Sequence, residues 1–130
     1  MIRKFQHEDL ETIMRLWLNT NIQAHDFVPK GYWIGNYVLV KSMLPKSELY
    51  VYDLDGKISG FIGIESGYIA GIFVSNEAQS KGIGKKLLNK AKEEYIELSM
   101  EVYKNNEKAV CFYERENFVI IKEHTDESTG

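Results

Sequence analysis

The chain has 130 residues, and 16 Lys and Arg against 19 Asp and Glu give a formal net charge of −3, which disfavours a general nucleic-acid binder. The apolar fraction of 44% is enough for one buried core, so we expect a single domain spanning residues 1–130. A lone cysteine excludes an internal disulfide, no residue cluster has metal-ligand spacing, and no segment looks like a signal peptide or a membrane span, so we expect a cytoplasmic protein without a metal site.

The first elements are a short strand at residues 2–5 and an amphipathic helix at residues 7–20. Apolar residues recur in this helix at helical spacing, at Leu10, Ile13, Met14, Trp17 and Leu18. The next stretch, residues 21–46, is rich in aromatic side chains, and a second helix is predicted at residues 32–44.

Strand patterns follow at residues 48–53, 57–65 and 68–74. The Asp55-Gly56 pair predicts a tight turn that joins the first two strands in a hairpin. A helix at 81–96, a strand at 98–103, a helix at 107–116 and a strand at 118–123 complete the order. This order indicates an α/β domain of the α+β type, with a mixed, mainly antiparallel central sheet flanked by helices.

A glycine-containing turn joins the strand at 68–74 to the following helix. The start of a helix has free backbone N–H groups and a positive dipole end, and both favour an anion. Gly82 and Gly84 remove side chains that would keep a phosphate away. Positive charge is added by Lys81, Lys85 and Lys86. The segment is neither a P-loop nor a dinucleotide fingerprint. It therefore predicts a phosphate or pyrophosphate site, and a plain strand–turn–helix connection remains the alternative.

A second segment combines Asn106, Ala109, the pair Phe112-Tyr113, and Phe118. Together with Gln79-Ser80-Lys81-Gly82-Ile83-Gly84, it resembles the GCN5-related N-acetyltransferase superfamily over nearly the whole chain. The resemblance implies an enzyme that transfers acetyl from acetyl-CoA to a primary amine of a protein or small molecule, by direct attack in a ternary complex. The alternatives are a non-catalytic CoA-binding or sensor module of the same fold, and a phosphate-ligand binder unrelated to CoA.

The resemblance also implies how the cofactor is held. The pantetheine arm would pair like an extra strand with the backbone before the turn, and the pyrophosphate would lie on the amides of the turn. Asn106 would contact the cofactor arm, or would only cap the following helix. The residues implied in cofactor binding are Ile72, Phe73, Val74, Gln79, Ser80, Lys81, Gly82, Ile83, Gly84, Lys85 and Asn106.

Two residues match catalytic positions of the family. Tyr113 matches a tyrosine that donates a proton to the departing thiolate, and a phenol of pKa ~10 is protonated at neutral pH. The alternative for Tyr113 is a packed core tyrosine. Alternation along the predicted strand at 98–103 places Leu98, Met100 and Val102 on one face and Ser99, Glu101 and Tyr103 on the other. The spacing of Glu101 from Asn106 and Tyr113 resembles members in which a glutamate is the general base, and the alternative is a solvent-facing or salt-bridged strand carboxylate. Glu65 and His25 are lesser candidates for the base.

The acceptor site would be formed by the aromatic stretch after the first helix. Family members build the substrate wall here, and the implied residues are His25, Phe27, Tyr32 and Trp33. Core packing for two short helices is the alternative reading of these side chains.

Two features depart from the family pattern. Asn117 stands where a glycine is common, although Asn tolerates the left-handed conformation. The chain ends where the family's last hairpin turns, so we expect its final strand, between those at 98–103 and 118–123, to be missing. The unpaired backbone would then favour local disorder or a homo-oligomer formed through the incomplete C-terminal sheet.

Overall fold

The computed structural model describes residues 1–79 and 81–119. In this part of the chain, short 3-10 turns lie at His7–Asp9, Leu44–Lys46 and Asn76–Ala78. The strands are β1 (Ile2–Lys4), β2 (Glu48–Leu54), β3 (Lys57–Glu65), β4 (Tyr68–Val74) and β5 (Ser99–Met100). The helices are α1 (Leu10–Ala24), α2 (Lys30–Met43), α3 (Ile83–Glu94) and α4 (Glu107–Arg115). None of these helices has the length and apolar character needed to cross a membrane.

The described strands form one sheet in the order β1-β2-β3-β4-β5. Strands β1 to β4 pair antiparallel, whereas β5 pairs parallel to β4, through Tyr68 with Ser99 and Ile69 with Met100. The turn between β2 and β3 has positive φ at Asp55 and Gly56, as the sequence pattern predicted. The predicted mixed, mainly antiparallel sheet is therefore confirmed.

Buried residues cover both faces of this sheet. Because successive strand side chains point to opposite faces, Phe61 packs with α1 and α2 while its neighbour Ile62 packs with α3. The α1 side is filled by Ile13, Met14 and Trp17, and the α3 side by Ile83, Leu87, Leu88 and Ala91. Tyr113 of α4 belongs to the α3 side.

The glycine at residue 71 makes room for an aromatic ring on β4. A Cβ atom built on Gly71 would lie 2.3 Å from the Phe73 ring, which is far inside van der Waals contact. Phe73 lies over Gly71 and stacks on Phe61 with ring centroids 5.0 Å apart. The missing side chain therefore allows Phe73 to lie against the sheet.

A partly buried charge cluster joins three segments at the start of the chain. The Arg3 guanidinium donates to both carboxylate oxygens of Asp9, at 2.8 and 3.0 Å, and its Nε donates to Asp53 Oδ2 at 2.9 Å. Asp9 also accepts the backbone N–H of Gln6 at 2.8 Å. The bond from Arg3 lowers the pKa of Asp9, and the two carboxylates raise the pKa of Arg3. This cluster ties β1 to the start of α1 and to β2.

The first helix extends beyond its predicted end at residue 20. Thr20 and Asn21 are buried polar residues, and their side chains bond back to carbonyl oxygens one turn earlier, at Leu16 and Trp17. These bonds satisfy the polar groups inside the helix, so α1 continues to Ala24. The second helix begins two residues earlier than predicted, directly after Pro29.

The strand predicted at 98–103 is wrong over most of its length, because β5 holds only Ser99 and Met100. Beyond Met100 the chain leaves β4, and the Tyr103 ring packs against His25 and Phe27. The helix predicted at 81–96 begins at Ile83, because Gly82 has a left-handed conformation with φ of 80°.

The predicted strand at 118–123 falls mostly outside the described residues. Phe118 and Val119 are not in a strand, and residues 120–130 are not described. The missing final strand and the homo-oligomer formed through it stay predictions.

Candidate active site

A cleft of about 370 Å³ opens at the carboxyl end of β4, between the end of α1 and the start of α4. Six residues predicted for the site from the sequence line it, and these are His25, Ile72, Phe73, Val74, Gln79 and Asn106. The cleft therefore joins residues that lie far apart in the chain, from α1, β4 and α4.

The backbone of β4 is unpaired on one side along the cleft. Among the described residues, β5 pairs only with Tyr68 and Ile69, so residues 70–74 have no ladder partner on that side. On the other side β4 stays paired with β3 up to Val74. This edge offers main-chain donors and acceptors to an extended, amide-containing ligand.

The start of α3 follows the same strand. Gly82 precedes the helix in the left-handed conformation, and no described side chain caps the helix. The first helical N–H groups therefore remain available, and the first turn holds no acidic residue. Lys81 and Lys85 are exposed beside it. The turn thus has free donors and positive charge at one place.

Other predicted residues of the turn have different surroundings. The Ile83 side chain is buried in the core, so only its backbone can face a ligand. Gly84 lies under the Phe112 ring, and a Cβ atom built on Gly84 would lie 3.6 Å from Cζ of that ring. Ser80 is outside the described residues. The Lys86 ammonium lies over the Tyr52 ring at 5.6 Å and away from the turn.

Gln79 connects the end of β4 with α4. Its amide nitrogen donates to the Val74 carbonyl oxygen at 3.1 Å, and its amide oxygen accepts from Lys108 Nζ at 3.2 Å. The side chain of Gln79 therefore crosses the cleft between strand and helix.

Asn106 has two partners. Its Oδ1 accepts the backbone N–H of Ala109 at 3.2 Å, which makes it the N-cap of α4. Its Nδ2 lies 3.2 Å from His25 Nε2. The predicted cap is present, and a bond to His25 accompanies it.

Tyr113 packs between α4 and the sheet. Its ring contacts Phe112 and Phe118, with centroids 5.0 and 5.7 Å apart. Burial raises the pKa of Tyr113, so the phenol stays protonated at neutral pH. No described residue forms a hydrogen bond with its hydroxyl group.

Glu101 lies directly after the last residue of β5 and is exposed. The alternation that placed it on a strand face is wrong, because the strand ends at Met100. Its Oε1 accepts a hydrogen bond from the Tyr68 hydroxyl at 3.3 Å, and burial together with this carboxylate raises the pKa of Tyr68. Glu101 does not line the cleft.

The predicted acceptor residues separate into two groups. His25 and Phe27 are near the cleft, and the Phe27 side chain is 39% exposed. Trp33 is buried against Trp17, and Tyr32 packs edge-on against Trp33. Burial lowers the pKa of His25, with a smaller opposing effect from the Asn21 backbone.

Sequence reasoning missed several residues of the cleft. Thr20, Asn21, Gln23 and Lys108 line it, and Tyr103 closes the aromatic group around His25. A longer first helix would have placed Thr20 and Asn21 there, since they follow Trp17 by about one turn.

The site can now be compared with known proteins. The family model of the acetyltransferase (GNAT) domain matches residues 45–120. The chain is 35% identical over 123 residues to the peptidyl-lysine N-acetyltransferase YiaC of Escherichia coli K12, a match that covers 93% of this chain and 84% of the relative. It is 29% identical to the peptidyl-lysine N-acetyltransferase YjaB of the same strain, over 92% of this chain and 82% of the relative.

Solved structures give the same fold. The solution structure of apo YjaB from Escherichia coli superposes with a TM-score of 0.79 at 29% identity, covering 88% of this chain and 78% of that chain. The PaiA N-acetyltransferase of Thermoplasma acidophilum, solved in complex with coenzyme A, superposes with a TM-score of 0.83 at 22% identity, covering 98% and 93%. The family and the enzyme class predicted from the sequence are therefore confirmed, and this chain belongs to the GNAT acetyltransferase family.

Proposed function

We propose that this enzyme transfers the acetyl group of acetyl-CoA to the side-chain amine of a protein lysine, in a ternary complex of enzyme, donor and acceptor. The observation that carries the proposal is the edge of β4, unpaired among the described residues, together with the start of α3, which follows it in the chain and is capped by no described side chain. The names of YiaC and YjaB as peptidyl-lysine N-acetyltransferases support lysine as the acceptor class.

The β4 edge of the cleft and the start of α3 would hold different parts of the donor. Ile72, Phe73 and Val74 would pair with the amides of the pantetheine arm through their backbone. The N–H groups after Gly82, with Lys81 and Lys85, would hold the pyrophosphate. When bound, acetyl-CoA supplies a thioester whose carbonyl carbon an amine can attack.

Two side chains would handle protons. Tyr113 keeps its proton at neutral pH because burial raises its pKa, and we assign it as the donor to the departing thiolate. Glu101 is our proposed base for the incoming ammonium, directly or through water, and its exposure where β4 and β5 separate supports this role.

The acceptor would approach along the aromatic residues. Phe27 and His25 form an aromatic wall beside the cleft, whose ring faces suit the four-carbon stem of a lysine side chain. Tyr32 and Trp33 would support this wall from behind, because Trp33 is buried.

The direct test combines binding with turnover. Thermal shift with CoA, acetyl-CoA and ATP would show which ligand stabilises the protein, and thiol release would be followed with a lysine peptide, a blocked-lysine peptide and a polyamine. We expect stabilisation by CoA and acetyl-CoA, with thiol release only when a free amine is present. Binding of CoA without thiol release for any amine would favour a non-catalytic CoA-binding module, and stabilisation by ATP alone would contradict the proposal.

The pyrophosphate site predicts a charge effect. Reversing Lys81 and Lys85 to Glu should weaken CoA binding by roughly 5- to 30-fold, since each exposed charge contributes about 0.5–1 kcal/mol. The matched control is Lys46→Glu, an exposed lysine on the turn before β2, which should leave the affinity unchanged. Calorimetry at low and high salt measures both, and equal affinities for the two variants would contradict the proposed pyrophosphate site.

A further inference from the structure

His25 lies at the junction of three parts of the fold. Its backbone N–H closes the end of α1 on the Asn21 carbonyl at 2.9 Å. Its ring packs against Phe27, Trp33 and Tyr103, with centroids 5.6, 5.4 and 4.9 Å away. The ring also reaches Asn106 at the start of α4. Through its backbone and its ring, His25 therefore joins the end of α1 to the start of α4, the two helices beside the cleft.

The N-cap of α4 determines which nitrogen of His25 carries a proton. Because Asn106 Oδ1 accepts the Ala109 N–H, the amide nitrogen of Asn106 must face His25. An amide nitrogen only donates, so His25 Nε2 must accept. The neutral ring then carries its hydrogen on Nδ1, which is buried and has no hydrogen-bond partner among the described residues.

We propose that His25 is a positioning residue, whose neutral ring holds the Asn106 amide and so fixes the start of α4 beside the cleft. Tyr113 lies seven residues after Asn106, about 10 Å along the helix, so a shift at the cap moves the tyrosine with it. The effect on turnover rests on the proposed function, in which Tyr113 donates a proton.

Protonation of His25 would break this contact. A hydrogen on Nε2 would face the Asn106 amide hydrogens, and two donors cannot bond to each other. The other titratable groups around the ring are Asp26, next in the chain, Tyr103 in ring contact, and Lys108 of α4, which lines the same cleft and bonds to Gln79. Trp33 is the residue of α2 in contact with the His25 ring, and β4 contributes Phe73 to the same cleft, so neither element adds a charged group near the ring.

Two substitutions separate the roles of acceptor and titratable group. His25→Gln retains an oxygen that can accept from Asn106 and does not titrate, whereas His25→Leu removes the acceptor. His7→Gln is the matched control, because His7 is an exposed histidine before α1. For each variant, kcat and KM for acetyl-CoA and for a lysine peptide would be measured between pH 5.5 and pH 8.5.

At pH 8 we expect His25→Leu to reduce kcat by about 10- to 100-fold, the loss typical of a misplaced catalytic group, with a smaller change in KM for acetyl-CoA. His25→Gln should keep most of the kcat at pH 8 and decline less steeply than the wild type at acidic pH, because only the contribution of His25 is removed while the proposed base and the acceptor amine still titrate. Wild-type kcat in the Leu variant, or an unchanged acidic decline in the Gln variant, would overturn the proposal.

The protonated nitrogen of His25 can also be measured in the wild-type protein, without any assay of activity. Nitrogen NMR of the histidine rings at pH 8 should show His25 with its proton on Nδ1, and the Asn106 amide signals should shift as His25 titrates. A proton on Nε2 would overturn the proposal even if every variant failed to fold. If the wild type transfers no acetyl group, the proposed function fails, while the ring proton still decides whether His25 holds Asn106.

Discussion

The substitution Arg3→Met tests how the partly buried charge cluster of Arg3, Asp9 and Asp53 holds the start of the chain. The change removes three hydrogen bonds to carboxylates and one to the Lys4 carbonyl oxygen, and it leaves Asp9, whose exposure is 6%, without its cation. Breaking a buried ion pair from one side costs about 3–5 kcal/mol. Because the Arg3 side chain is 28% exposed, and Asp9 retains the Gln6 N–H, we expect the loss to be about 2–3 kcal/mol.

The entropy of unfolding relates this loss of free energy to a change in Tm. At about 2.1 cal/mol/K per residue, the free energy of unfolding of the whole chain falls by about 0.3 kcal/mol per degree near Tm. A loss of about 2–3 kcal/mol should therefore lower Tm by roughly 7–11 °C. Urea unfolding at pH 7 measures the free energy directly. Lys4→Met is the matched control, since Lys4 is the exposed neighbour on β1 and should change stability little.

The same pair predicts a dependence on pH. The pKa of Asp9 is lowered in the folded state, so the unfolded chain binds more protons as the pH falls through the ordinary carboxyl value of ~3.9. The stability from Asp9 is therefore present above that value and is lost below it. The difference between wild type and Arg3→Met should shrink between pH 5 and pH 3, and a difference that is absent at pH 7 or constant with pH would refute the reasoning.

Two further predictions concern turnover and packing. Tyr113→Phe should lower kcat by about 10²-fold while CoA affinity stays unchanged, since a general acid contributes a factor of about 10²–10⁴ to the rate. The control is Tyr95→Phe, at the far end of α3. Equal kcat values for the two variants would remove Tyr113 from the mechanism. Gly60→Ala should destabilise by about 1–3 kcal/mol, because its Cβ would lie 2.9 Å from the Phe73 carbonyl oxygen. Gly35→Ala, in the exposed and open part of α2, should instead stabilise by about 0.5–1 kcal/mol, and urea titration that ranks the two glycine variants in the opposite order would contradict the packing argument.

The sequence patterns predicted elements whose signals are local. The Asp55-Gly56 turn and the alternation on either side of it placed the β2–β3 hairpin within a residue of its bounds, because turn and strands agree. The N-cap at Asn106 was also predictable, since a cap depends on the residues that follow it.

Features that depend on distant contacts were not predictable in the same way. The alternation at 98–103 predicted a full strand, but a strand needs a partner along its length, and Tyr103 is drawn instead to His25 and Phe27. The bond between His25 and Asn106 joins residues 81 positions apart, and no spacing rule connects them. The glycine turn gave the place of the candidate cofactor site, whereas the neighbouring cleft residues became visible only in the fold.

The absence of a side chain at Gly71 has a consequence for the shape of the cleft. The Phe73 ring, which lines the cleft, occupies the space that a Cβ at residue 71 would need. Any larger residue at 71 would have to displace the Phe73 ring and would therefore change the shape of the cleft. A substitution at residue 71 could therefore alter the cleft although residue 71 itself does not line it.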